Sequence, residues 1–266
     1  MTLLASAGLF IRSLVNVSQV DLGLRPENVV TFAISPELNG YEAERSLAFF
    51  ERIEEELAAI PGVIGVSAAL VPLLAGSSWG SSVVVEGFES GPDIDAGSRY
   101  NEIGPNYFST LGMPLLAGRE FSVSDGAHAP KVAIVNEAFT RKFGLDGRDA
   151  VGRFMGSGRG DELDTQIIGV VQDAKYADVK RDVPPVFFRP YRQDDGLGSI
   201  NFYVRTSLGP NQILAAIPPL MGQLDPNLPV EGLKTLERQV QENVLLDRIS
   251  TLSAAFAILA TLLATV

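Results

Sequence analysis

Charge divides this chain into three parts. All charged side chains but one, Arg12, lie between Asp21 and Arg248. Residues 249–266 carry none, and as a helix they would be about 27 Å long against a hydrocarbon core of about 30 Å. At the other end Leu3–Ile11 is apolar and rich in small residues, and Arg12 ends it. A buried soluble helix ordinarily keeps a polar stripe, whereas 249–266 offers only Ser and Thr. The two ends are therefore expected to be parts of membrane helices, with a polar domain between them. The alternative is a pair of terminal helices buried against each other. A signal peptide fits the N-terminus poorly, because it lacks a basic start and has Arg12 where a cleavage site should be.

The polar middle is long enough for one large or two small domains with real cores. A net charge of −11 argues against nucleic acid, whose phosphates need a basic surface. With no cysteine, there is neither a disulfide framework nor a thiolate metal site.

Two stretches share one plan. Residues 29–35 alternate as a strand, and 41–60 have helical periodicity with Glu-rich exposed positions, including Glu51, Glu54, Glu55 and Glu56. Pro61-Gly62 stops that helix, and 63–70 returns as a strand. Far downstream, 200–206 alternates as a strand. A helix is expected from Pro210 to Leu224, broken or kinked at Pro218-Pro219. A turn at Asp225-Pro226-Asn227 then leads to a strand at 228–233. Two such units sharing a sheet make a split β-α-β, ferredoxin-like module, with both helices on one face.

Between the halves lie further elements. A strand is expected at 99–103, then a helix opened by Pro105 and ended by Gly112. A strand at 131–135 leads to Asn136, which caps a helix from Glu137 to Phe143 closed by Gly144. Strands at 165–171 and 186–191 follow, with loops at 122–130 and 156–164 rich in Gly, Ser and Asp. Residues 235–248 read as a helix running straight into the apolar tail.

Several patterns that carry chemistry elsewhere are incomplete here. Gly76-Ser77-Ser78-Trp79-Gly80 matches the nucleophile elbow G-x-S-x-G, which needs a strand-to-helix turn, a histidine and an acid. A β-type run, 81–86, follows instead, and the single histidine, His128, sits in an unrelated loop. Ser78 is therefore expected to lie beyond reach of His128. Gly156-Ser157-Gly158-Arg159-Gly160 lacks the Lys-Ser/Thr of a phosphate loop. Asp93/Asp95 and Asp194/Asp195 lie on loops without an EF-hand pattern. No catalytic, cofactor-binding or metal-binding residue is expected.

Taken in order, AGLFIRSL (7–14), DLGLRPENVVTF (21–32), IPGVIGVSAAL (60–70), NYFSTLGMPLLAGREF (106–121), VAIVNEAFTRKFG (132–144), VGRF (151–154), IIGVVQDAKY (167–176), PPVFFRPY (184–191) and LDPNLPV (224–230), followed by LERQVQENVLLDRIS, resemble the MacB/FtsX-type permeases of ABC transporters. No single piece is diagnostic; their order along nearly the whole chain is. The resemblance implies an α+β fold in which a porter-like, ferredoxin-like module, 27–90 and 185–235, carries an inserted second subdomain, 91–184. It places the end of a first transmembrane helix at 1–20, and a stalk helix with the start of a second at 236–266. It implies an extracytoplasmic domain on the bacterial inner membrane. The implied partners are membrane lipid, a second permease copy or tandem half, and an envelope protein. Members called MacB proper carry an ATPase domain ahead of the first membrane helix. Its absence here implies a cytoplasmic ABC ATPase on a separate subunit. Two roles stay open: a transport subunit coupled to ATP hydrolysis, and an FtsX-like regulatory module that binds an envelope partner. A membrane-anchored hydrolase using Ser78 is a distant third.

Overall fold

Val30, Phe32 and Ile34 alternate along β1 (Val29–Ile34) and point toward two helices on one face of a sheet. Val29 points to the other face, as residues two apart share a side. A computed structural model describes residues 21–244 except 90, 92, 146, 158–161, 180, 181 and 195. Its further strands are β2 (Val63–Ala69), β3 (Trp79–Val85), β4 (Gly97–Ile103), β5 (Leu115–Gly118) and β6 (Val132–Asn136). Then come β7 (Phe154–Ser157), β8 (Thr165–Val171), β9 (Val186–Pro190), β10 (Ile200–Thr206) and β11 (Glu231–Thr235).

Four of these strands run antiparallel in the order β11-β1-β10-β2. Helices α1 (Ala43–Ala58) and α4 (Pro210–Leu224) cover one face. From α1 come Phe50, Ile53 and Leu57, and from α4 Ile213, Ile217 and Met221. They close on a stacked Phe32–Phe202 pair, ring centroids 5.2 Å apart. Each such side chain, fully buried, contributes about 1.5–3 kcal/mol. Pro61 ends α1, and Gly62, at φ 88, turns the chain into β2.

Two expectations need correction here. Pro218 and Pro219 do not break α4, which runs unbroken from Pro210 to Leu224. The ladder loses two N–H donors, but Ile213, Ile217 and Met221, four apart on one face, hold the helix on the sheet. The last strand begins at Glu231, not 228. Leu228 is tied into the core before the strand starts. Gly232, at φ 60, lies in the stretch where the β11–β1 register shifts.

The other strands form a ring. β4 pairs β3, β3 pairs β7, β7 pairs β8, β8 pairs β6 and β6 pairs β9. A parallel β9–β4 pairing closes it, and β5 lies outside on β8. This closed six-stranded, barrel-like arrangement was not foreseen. Val83, Val85, Val135, Met155, Ile167 and Phe187 gather there around Phe139 and Phe143. Asn136 caps α3 (Glu137–Lys142) as expected, accepting from the Phe139 N–H at 2.9 Å.

One pair, Ala69↔Ile103, joins the ring to the four-stranded part. Asn101 reinforces this seam, accepting from Val71 N and donating to Val71 O, both at 2.9 Å. Below it, α2 (Tyr107–Leu111) lays Tyr107 and Phe108 against Tyr203 and Phe188.

After β11 the chain is helical over 236–244. Leu236 is buried, and Val240 and Val244 pack on the seam core. Among the described residues no helix is long and apolar enough to cross a membrane. The expected membrane segments, 1–20 and 249–266, lie outside the described residues.

Candidate docking groove and its polar bridge

Helical spacing puts Leu47, Glu51, Glu54, Glu55 and Ala58 along one side of α1. Opposite them stand the start of β2 and a loop around Val123. Together they bound an open groove of about 670 Å³. The far wall is held rigidly. Asp125, 4 % exposed, takes a bidentate pair from Arg119 at 2.7 and 2.8 Å and a backbone bond from Ser122 N at 2.8 Å. Hydrogen bonding by Arg119 holds the Asp125 carboxyl below its ordinary range.

At the back of the groove Arg192 reaches from the end of β9 to α1. It meets Glu54 at 2.7 Å and Glu51 at 3.3 Å. This corrects the reading of the α1 glutamates as a wholly wet face: the Glu54 side chain is 12 % exposed. Burial pushes its carboxyl up, and Arg192 pulls it back. Glu54 Oε1 and Arg192 Nε remain without hydrogen-bond partners.

A second polar pocket of about 340 Å³ opens beside the ring. Glu102 of β4 pairs there with Arg189 of β9, and Lys131 meets Asp164 at 2.5 Å. Burial raises the Glu102 carboxyl to about 7, the neighbouring Asp194 adds to the rise, and Arg189 opposes it. Asp194 moves down, chiefly through its hydrogen bond with Glu102. Glu102 is the member that keeps the proton.

The candidate catalytic residues are scattered. Gly76, at φ 79, and Ser78 lie in the loop before β3, and Trp79 and Gly80 begin that strand. The strand-to-helix turn of a nucleophile elbow is not formed. His128 is exposed in the loop before β6, and it shares no hydrogen bond with Ser78 among the described residues. Gly156 and Ser157 end β7, while 158–160 lie outside the described residues, as does Asp195. Asp93 is exposed, and Asp95 pairs with Lys142 at 2.8 Å. Among the described residues no group of three or more His, Cys, Asp or Glu could hold a metal ion. Shape, charge and hydrogen bonding are what the groove can offer a guest. The sequence reading missed Arg189, Arg192 and Glu102. The one available signal was the run FFRPYR, where two arginines flank the end of a buried strand.

Residues 2–219 match the model of the MacB-like periplasmic core domain, and the chain belongs to that family. The family is a permease-type periplasmic domain and not by itself a catalytic one. Among solved structures, the periplasmic region of MacB from Actinobacillus actinomycetemcomitans is 16 % identical. That alignment covers 85 % of this chain and 97 % of that one, with a TM-score of 0.53. The extracellular domain of the noncanonic ABC-type transporter YknZ from Gram-positive bacteria is also 16 % identical, over 74 % of this chain and 94 % of that one, with a TM-score of 0.47. None of the curated proteins matches the chain.

Proposed function

We propose that this is the extracytoplasmic core domain of an ABC permease subunit in the bacterial inner membrane, coupled by a helix to a separate cytoplasmic ATPase. In this reading 1–20 and 249–266 belong to membrane helices. The porter-like module comprises 27–90 and 185–235, with 91–184 inserted. Strands β3 and β9 flank that proposed insert and pair with strands inside it. ATP-driven motion of the membrane helices would rock paired domains and expel or hand on a substrate.

The observation that carries this is the fastening of 236–244. Gln239 Nε2 donates to Leu73 O at 2.5 Å, and Asn243 Nδ2 donates to Ala177 O at 3.3 Å. With Leu236, Val240 and Val244 in the seam core, a push along this helix reaches the four-stranded part and the ring together.

The chain has no cysteine, so a spin label on Leu38→Cys, an 80 % exposed site, reports the distance between paired domains without background. In the full-length permease with its ATPase, ATP and vanadate are expected to change that distance. Inserting Gly-Gly after Asn243 is expected to abolish the change while ATP hydrolysis continues. An unchanged response after the insertion would overturn the coupling role. The open groove favours a second reading, an FtsX-like module whose task is to hold an envelope partner.

A further inference from the structure

The groove beside α1 has a property that its apolar and acidic lining does not by itself require. One of its walls is a strand edge. β2 pairs β10 along its length but meets β4 only at Ala69. The carbonyl of Ala68 accepts from Gly104 N at 2.8 Å, so it points away from β10. Residues two apart on a strand present their backbone groups to the same side. Val66 therefore turns both its N–H and its C=O outward, toward the groove it lines. At Ile64 the register with β10 shifts, a bulge that ends the free edge and leaves that side chain 64 % exposed. Across the groove Val123 is 71 % exposed.

We infer that this groove takes an extended peptide segment of an extracytoplasmic protein, added as a strand against Val66 and carrying a basic side chain. The two outward groups of Val66 form the donor–acceptor pair that a neighbouring antiparallel strand exchanges. Apolar side chains of the guest rest on Ile64, Val123 and Leu47. The charge fits a basic residue: three glutamates line the groove against a single arginine. That arginine is already engaged by Glu51 and Glu54. Glu55, exposed on the groove side of α1, is the acceptor left over. The inference rests on the domain lying outside the membrane, and not on the coupling of its motion to ATP.

The test uses the full chain in mild detergent, without ATPase, and a fluorescein-labelled hexapeptide alternating valine and arginine. Controls alternate valine with glutamate, or carry proline at every second position. The first peptide is expected to raise anisotropy and to slow amide exchange over 63–67. Val66→Pro deletes an N–H that no ladder bond uses, and proline is tolerated at such an edge position. It is expected to weaken binding at least tenfold. Glu55→Lys, which touches no backbone, is expected to weaken it about threefold, as exposed charge pairs do, and serves if the proline variant misfolds. Equal binding by the proline peptide, unchanged affinity in both variants, or slowed exchange elsewhere overturns the inference. Loss of the free edge to a dimer of this chain also overturns it. None of these results bears on the Gly-Gly insertion, so the two proposals fail separately.

Discussion

Replacing Glu102 by Gln tests the electrostatics beside the ring. The Glu102 side chain is 3 % exposed and pairs with Arg189, yet burial raises its carboxyl to about 7 from an ordinary 4.5. Between those values the folded protein holds a proton that the unfolded chain has released. The stability from this group is therefore complete below about pH 4.5 and declines as pH rises through about 7. The full shift corresponds to about 3.5 kcal/mol at about 1.4 kcal/mol per unit. Coupling to Asp194 and the water in the open pocket reduce this to about 1.5 kcal/mol, or about 3–6 °C in Tm for a chain of this size. Glu102→Gln keeps the shape and cannot ionise. By thermal unfolding of the full chain in detergent, the variant is expected to match the wild type at pH 5 and to exceed it by that margin at pH 8. Asp194, lowered below its ordinary range, titrates under this window. If the variant is equally destabilised at both pH values, Glu102 is an ionised partner of Arg189 throughout and the reasoning fails.

Two further substitutions probe single clusters. Asn136→Ala removes the cap on Phe139 N and the bonds to Val186 N and Pro184 O, each 2.9 Å. The expected cost is about 2–4 kcal/mol in denaturant unfolding, and Asn136→Asp, which keeps the acceptors, should cost less. Arg192→Met strands the buried Glu54 carboxylate and is expected to cost about 3 kcal/mol at pH 8. Adding Glu54→Gln should recover most of it, and a double variant as unstable as the single would show that Arg192 acts through packing instead.

The four-stranded part was legible because each element announces itself locally. The alternation of 29–34, the spacing of Phe50, Ile53 and Leu57, and the stop at Pro61-Gly62 are all short-range signals. The ring was hidden for the opposite reason. β5 and β7 are four residues each, too short for periodicity to mark. Closure depends on Arg99–Ile103 lying beside Val186–Pro190, and local patterns carry no information about such pairing. The groove was half visible. The α1 glutamates stand out in the sequence, but their meaning changed when a distant arginine arrived at Glu54. The bulge at Ile64 and the outward turn of Val66 are products of register, which emerges only when β10 pairs.

That β10 sits between β1 and β2 has a consequence for how the chain is made. The two early strands cannot join until their separator exists, and residues 70–199 are synthesised in between. At ribosomal rates of about 5–20 residues per second this wait is on the order of ten seconds. Throughout it Val30, Phe32, Ile34 and Phe50 lack the central strand that covers them. β9, which closes the ring on β4, is synthesised only just before β10. Of the two parts, 29–69 is made first and waits longest for its partner strand, which makes it the stretch expected to lean most on a chaperone at birth.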